Sequence, residues 1–218
     1  MNDWLIIADG ESLIKSAVQK IAQDKSIIVL DGALSQVLDY KITPLILIGD
    51  FDSIDLALLE TIKKNKRITV IHDTNQNTTD LEKALNYLCD KQPNSVSICH
   101  ATGKRLDHTL YNLRLLKRFH HQLNQLKIIT ALETIYFFSD SIVYLSAQTK
   151  EPLALLAFPK ATIHSTNLEY ELTHVTLEFS VKESISNTIL PGNAIINIQG
   201  DALLMISHAT QLSFVIKR

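Results

Sequence analysis

The chain has 218 residues, 46% of them hydrophobic and 20% charged, with a net charge of −2 and six glycines. That length holds one large domain or two small ones, and the charge balance gives no global basic field for nucleic acid or an anionic membrane. Glycine stands at about half its average usage, which excludes collagen-like, linker-rich and low-complexity chains and puts each glycine where backbone geometry demands one.

Residues 1–130 alternate short apolar runs with helical patterns. The runs Trp4–Ala8, Ser26–Leu30, Leu45–Ile48, Arg67–Ile71, Val96–His100 and Lys127–Thr130 are nearly continuously apolar, as strands buried on both faces should be. Between them, Leu81, Ala84, Leu85 and Leu88 follow helical spacing behind a Thr79–Glu82 capping box. Leu106, Leu110 and Leu113 repeat that theme, with Arg114, Lys117 and Arg118 on the wetter side. Strand–helix alternation predicts a parallel, Rossmann-like α/β domain over 1–133. Beyond it the runs Thr134–Phe138, Ile142–Leu145, Leu153–Phe158, Ala161–His164, Val175–Phe179, Ala194–Gln199, Ala202–Ser207 and Leu212–Ile216 read as short strands. Turn signals at Ser139–Asp140, Glu151–Pro152, Pro191–Gly192 and Gly200–Asp201 separate them, which predicts an antiparallel β-sandwich over 134–218.

The two cysteines, Cys89 and Cys99, are too few for a disulfide framework. Cys99 lies in an apolar run and reads as a small core residue. The first ten residues lack the pattern of a signal peptide, and no apolar stretch reaches bilayer-spanning length. A soluble protein of the reducing cytoplasm, with no membrane or nucleic-acid partner, is the expectation.

The chemistry is expected in the first half, which holds twelve of the fourteen aspartates. Gly10, Gly32, Gly49 and Gly103 each follow a candidate parallel strand, and ligands of open α/β sheets bind beyond the carboxyl ends of strands. Beside these glycines stand Asp9, Asp31, Asp50, Asp52 and the segment Thr102–Gly103–Lys104–Arg105. Asp50 and Asp52, with Asp80 as a third ligand, suit a hard divalent cation such as Mg²⁺. The competing reading makes Asp52 or Ser53 the N-cap of the next helix and Asp80 a complement to its helix dipole. Gly103 leading into a helix offers N–H groups to phosphate, and Arg105 and Lys104 add charge. The competing reading there is a strand–turn–helix capped by Asp107. Walker A, G-x-S-x-G and G-x-G-x-x-G patterns are absent, and His72, His100 and His164 lack zinc spacing. His120–His121, near a helix end, read as solvated or dipole-complementing.

At these residues the sequence resembles the thiamine pyrophosphokinase (thiamin diphosphokinase) family. Gly49–Asp50–Phe51–Asp52–Ser53–Ile54 matches its GDFDSI motif, and Asp31–Gly32 the start of its D-G-G. Thr79–Asp80 with Glu82–Lys83–Ala84–Leu85 resembles its T-D helix, and Arg105–Leu106–Asp107–His108 with Asn112 its R-x-D-H…N motif. Ser184–Ile185–Ser186–Asn187–Thr188 and Asn167–Leu168–Glu169–Tyr170 resemble segments of its second half.

The resemblance implies transfer of a diphosphate from ATP to thiamine, giving thiamine diphosphate and AMP. It also implies Mg²⁺, a β-sandwich that binds thiamine, and a homodimer. Asp50, Asp52 and Asp80 are implied to bind the Mg²⁺–diphosphate, with Arg105 catalytic beside them. Asp31, Gln76, Thr79, Thr102, Gly103, Lys104, Asp107, His108 and Asn112 are implied to hold nucleotide or reacting group, and Tyr170, Ser184, Ser186 and Asn187 thiamine. Without the resemblance, Tyr170 reads as a partly exposed strand tyrosine and Ser186–Asn187 as a turn. The chain departs from the family at Ala33, Lys104 and Asn167, where glycine is usual, and at Asn75 and Asn77, where acids are often seen. The alternatives are a non-catalytic thiamine or nucleotide sensor, and a pyrophosphokinase acting on another alcohol-bearing heterocycle.

Overall fold

A computed structural model describes residues 2–52 and 54–217; Ser53, the serine of the GDFDSI motif, lies outside the described residues. The chain divides into two compact units, Met1–Thr130 and Ala131–Arg218.

The first unit is built on strands β1 (Asp3–Ile7), β2 (Ser26–Leu30), β3 (Ile46–Gly49), β4 (Thr69–His72), β5 (Ser95–Cys99) and β6 (Leu126–Ile129). They pair in parallel in the order β6-β5-β1-β2-β3-β4. Helices α1 (Lys15–Ala22), α2 (Leu34–Asp39), α3 (Leu56–Lys64), α4 (Asp80–Cys89) and α5 (Leu106–Phe119) make the crossovers. Because side chains alternate along a strand, Leu5, Ile7, Ile27, Val29, Leu47 and Cys99 share a core with Val18, Leu34, Val37 and Leu59 of α1, α2 and α3. Burial pushes the Cys99 thiol up to about 12, the behaviour of a core residue. Ile6, Ile28 and Ile98, at alternate positions, are fully buried as well. Two strands depart from the two-face burial expected of these runs: all four residues of β4, at the edge, keep some exposure, and in β6 Lys127 and Ile129 are partly exposed.

Two helices correct the sequence reading. On α5 the buried residues are Asn112, Leu115, Leu116 and Phe119, while Leu106 and Leu110 are 70% and 50% exposed. The true stripe starts a turn later, so the first turn of α5 stands clear of the core. Helix α3 is capped by Asp55, whose side chain accepts from the Leu58 N–H at 3.0 Å, and not by Asp52. Helix α4 begins as expected, with Thr79 Oγ1 accepting from the Glu82 N–H at 3.3 Å.

The second unit contains β7 (Glu133–Ala147), β8 (Glu151–Thr166), β9 (Val175–Glu178), β10 (Ser184–Ile189), β11 (Gly192–Ser207) and β12 (Gln211–Ile216), all antiparallel. Three pairs of short strands expected from the sequence are single long strands. The turn signals at Ser139–Asp140 and Gly200–Asp201 are bends inside β7 and β11, where Asp140 has φ 41° and Gly200 φ 92°. The register of β11 shifts there against both β7 and β8. Asp140 Oδ1 accepts from the Gly200 N–H at 2.8 Å, and a Cβ on Gly200 would lie 2.5 Å from the Lys160 carbonyl oxygen. Bending lets both halves of each long strand feed one core: Phe138 and Val143, Leu155 and Ile163, Ile198 and Leu204. That is how long strands make an antiparallel sandwich. Glu151–Pro152 opens β8 and the hairpin falls just before it.

Candidate active site

Strand order in the first unit reverses between β1 and β5, and a crevice opens there beyond the strand ends. The cleft has a volume of about 590 Å³ and is lined from the loops after β1, β2, β3 and β5 and from the start of α4. Two backbone approaches shape it. A Cβ on Gly10 would lie 2.3 Å from the His100 carbonyl oxygen, to which the Gly10 N–H donates at 2.6 Å. A Cβ on Gly49 would lie 2.5 Å from Asp31 Cγ. Glycine at these two positions lets neighbouring strand ends converge.

The acidic group at the rim comprises Asp31, Asp50 and Asp52, each offering a carboxylate oxygen within 4.8 Å of the others. Asp31 is buried in the 3-10 turn after β2 and accepts from the Gly32 N–H at 2.7 Å and the Phe51 N–H at 2.9 Å. Burial raises its pKa, against the lowering effect of the Phe51 N–H. Phe51 takes a left-handed conformation, φ 66°, and stacks on His72 at 5.0 Å. That reversal of the chain brings Asp50 and Asp52 back to Asp31. Gln76 Nε2 donates to Asp50 Oδ2 at 3.0 Å, and this hydrogen bond leads the causes that lower the Asp50 pKa. Asp31 was expected to serve substrate; its position among the acids makes it a candidate ligand too. Asp80, expected as the third metal ligand, lines the cleft from the first position of α4 with its Oδ1 2.9 Å from Lys83 Nζ. Lys83, whose side chain is 4% exposed, also donates to the Asp73 carbonyl at 2.8 Å. Sequence reasoning left Lys83 out of the site; its place three residues after Asp80 on a helix was the available signal.

The facing loop carries the cations. Gly103, φ 74°, and Lys104, φ 47°, turn the chain from β5 into α5. Lys104 Nζ lies 2.7 Å from Asp9 Oδ1, a pairing the sequence reading did not include. Arg105 grips Asp107 through Nη2 at 2.6 Å and Nε at 3.1 Å, and this guanidinium holds the Asp107 carboxyl down at about 2. Asp107 also accepts from the His108 N–H, and the N-cap position belongs to Arg105, whose side chain makes no cap. Asn112 is buried and donates to the Ala101 carbonyl at 2.8 Å, fixing the loop from below. Thr102 braces it through its carbonyl, which accepts from the Glu11 N–H at 2.7 Å. Of the departures, Ala33 has an ordinary φ of −90° and Asn167 keeps a left-handed φ of 60°, which asparagine tolerates.

In the second unit Tyr170 is 67% exposed, and Ser186 is exposed at φ 57°. Asn187 is buried and fully engaged. Its Oδ1 accepts from the Tyr170 and Thr188 N–H groups, and its Nδ2 donates to the Tyr170 carbonyl and Ser184 Oγ. Four hydrogen bonds use the whole capacity of a side-chain amide. Asn187 therefore latches Tyr170 to β10 and ties Ser184 to it within that strand.

Residues 17–129 match the family model described as the catalytic domain of thiamin pyrophosphokinase. Thiamine pyrophosphokinase of Bacillus subtilis is 26% identical over 181 residues, covering 81% of this chain and 84% of that protein. Thiamin pyrophosphokinase 1 of Caenorhabditis elegans is 27% identical over 176 residues, covering 74% and 70%. In fold, the crystal structure of the Bacillus subtilis thiamine pyrophosphokinase superposes with a TM-score of 0.82 at 24% identity over 94% of this chain and 98% of that one. The yeast thiamin pyrophosphokinase structure does so with a TM-score of 0.80 at 18% identity over 94% and 86%. The chain belongs to the thiamin pyrophosphokinase family.

Proposed function

We propose that the chain transfers the diphosphate of ATP to the hydroxyethyl group of thiamine, giving thiamine diphosphate and AMP. The observation that carries this reading is one cleft, at the switch point of a family-matched domain, lined by Asp31, Asp50 and Asp80 together with Lys104 and Arg105, with Asp52 clustered beside Asp31 and Asp50. Asp31, Asp50 and Asp52 are hard oxygen donors without a cysteine or histidine among them, a set that fits Mg²⁺. In this reading Asp50 and Asp52 hold the cation with Asp31 or Asp80. Bound there, the cation would supply neutralisation of phosphate charge.

The alcohol attacks the β-phosphorus and AMP leaves, a displacement that asks for alignment and charge stabilisation more than covalent chemistry. Arg105 and Lys104 serve the phosphates once their carboxylate partners Asp107 and Asp9 give way, and the N–H groups at the Gly103 turn add neutral donors. Gln76 and Thr79 hold the acidic rim and the start of α4 in place, and His108 and Asn112 do the same for the Arg105 loop. Asp52 or Asp80 takes the alcohol proton. The β unit binds thiamine, with the Tyr170 ring stacking on it, Ser184 and Ser186 offering hydroxyls and Asn187 fixing the segment. The first unit is thus the ATP and Mg²⁺ domain and the second the thiamine domain.

The deciding assay follows AMP from ATP and Mg²⁺ with and without thiamine. Thiamine-dependent AMP is the expected result. Thiamine binding without it would replace catalysis by sensing, and AMP released only with another alcohol would change the acceptor.

A homodimer is part of the proposal. Tyr144, Ile195 and Val215 are exposed on the outer face of β7, β11 and β12 and supply apolar surface for a second copy. Sedimentation at assay concentration should give twice the chain mass; a stable monomer would refute it. No helix among the described residues is long and apolar enough to cross a membrane. The proposed location is the cytoplasm, checked by fractionation.

A further inference from the structure

His100 directly follows β5 at the switch point, and the functional reading above makes no use of it. Its side chain is almost wholly removed from solvent, with the residue 2% exposed. Neither Nδ1 nor Nε2 has a hydrogen-bond partner. Its backbone stands at φ 57°, a conformation that an ordinary side chain adopts reluctantly. The ring meets Tyr40 edge-on, with centroids 6.4 Å apart. Buried polar atoms are nearly always paired, so a strained residue carrying two orphaned ones calls for a partner that the chain itself does not supply. His100 lines the nucleotide cleft between the Gly10 turn and Lys104.

The identity of the partner follows from charge. Burial first, and the nearby Lys104 second, depress the His100 pKa, so the ring is neutral at physiological pH and offers one N–H and one bare nitrogen. Phosphate oxygens are acceptors, already served by Arg105, Lys104 and the turn N–H groups. A hydroxyl both accepts and donates, and so pairs with whichever nitrogen faces it.

We propose that His100 binds a substrate hydroxyl in this cleft, a ribose hydroxyl of the donor nucleotide. This rests on the cleft being the nucleotide site. Thiamine also carries a hydroxyl, so the experiment separates the two sources.

Isothermal titration would measure binding of a non-hydrolysable ATP analogue with Mg²⁺, its 2′-deoxy and 3′-deoxy forms, and thiamine. The proteins would be the unaltered chain, His100→Phe and His100→Asn. Phenylalanine keeps the ring and its packing without nitrogens. Asparagine keeps a donor and an acceptor and accepts the left-handed backbone. The expected result is that one deoxy analogue binds the unaltered chain about tenfold more weakly than the parent, the size of one good hydrogen bond. That difference should vanish in His100→Phe and survive in part in His100→Asn. Equal affinity of the unaltered chain for all three nucleotides would overturn the proposal, and that measurement needs no variant to fold. A difference that persists in His100→Phe would overturn it too. Loss of thiamine affinity in His100→Phe with nucleotide affinity intact would overturn the ribose assignment. Failure of the unaltered chain to bind any nucleotide would instead refute the reading of the cleft beneath it.

Discussion

Gly49→Ala tests how the acidic rim is held. The new methyl carbon would sit 2.5 Å from Asp31 Cγ and Oδ2 and 2.8 Å from its Cβ, far inside van der Waals contact. Asp31 cannot simply swing away, because the Gly32 and Phe51 N–H groups hold its two oxygens at 2.7 and 2.9 Å. Relief requires giving up the Phe51 bond, a buried hydrogen bond to a charged group worth about 1.5–3 kcal/mol. Residual overpacking adds to this, so the expected loss of stability is about 2–4 kcal/mol. Losing the Phe51 tether also relaxes the reversal that returns Asp50 and Asp52 to Asp31. The Mg²⁺ requirement for turnover should then rise about 10–100-fold, the usual cost of disturbing the groups that orient metal ligands. Urea unfolding and a Mg²⁺ titration of AMP release measure the two effects. Gly32→Ala is the control: the atoms nearest its added carbon are side-chain atoms of the half-exposed Asp9, at 3.1 Å. A change of less than about 1 kcal/mol is expected there. A Gly49→Ala protein with unaltered urea midpoint and Mg²⁺ requirement would refute the reasoning.

Asp52→Asn and Asp80→Asn should each lower turnover by about 10²-fold or more while circular dichroism stays unchanged; near-normal rates in both would remove the aspartates from the chemistry. Asp55→Ala should cost about 1 kcal/mol of stability by uncapping α3, read from the urea midpoint, with kcat unaltered. Asn187→Ala should destabilise the β unit by about 2–3 kcal/mol and raise the KM for thiamine with that for ATP unchanged, since it releases both backbone bonds to Tyr170. The depressed pKa of His100 means that the unfolded chain takes up that proton first as the pH falls. Its contribution is therefore fully present above the ordinary value of 6.5 and is lost as the pH drops through the lowered folded value. His100→Phe should flatten that part of a stability–pH curve; an unchanged slope would contradict it.

The parallel half was readable because strands buried on both faces must be apolar throughout, and Ile27–Leu30 or Leu45–Ile48 leave no other reading. Cys99 and the Thr79 cap followed from equally local rules. Where several residues compete for one task, the sequence offered no ranking: Asp52 and Ser53 were read as caps of α3, and the Leu58 N–H bond selects Asp55, which precedes the helix as well. The stripe of α5 was misread because Leu106 and Leu110 keep helical spacing with Leu113 while standing exposed at the start of the helix. Long strands were split because Asp140 and Gly200 carry turn chemistry whether they end a strand or bend it. At the candidate site, the Asp50 and Asp52 spacing was visible, but the approach of Asp31 depends on the left-handed Phe51, which no local rule anticipates. Asp9 and His100 were named but given no task, because the Asp9–Lys104 pair joins residues 95 positions apart and His100 is marked only by nitrogens without a partner; Lys83 was left out although Asp80, three residues before it, was in view.

The bends of β7 and β11 also bear on how the chain reaches its native state. Asp140 and Gly200 are 60 positions apart, and β11 pairs Ser207 with Glu133 across the whole unit. The first halves of β7 and β8 have no completed sheet until β11 emerges between them. In the α/β unit, by contrast, β1, β2 and β3 pair with successive neighbours as they appear. Loop closure over such separations is slow. During synthesis the α/β unit should therefore be protected from proteolysis first, with long alternating strands left exposed until the last hairpin closes.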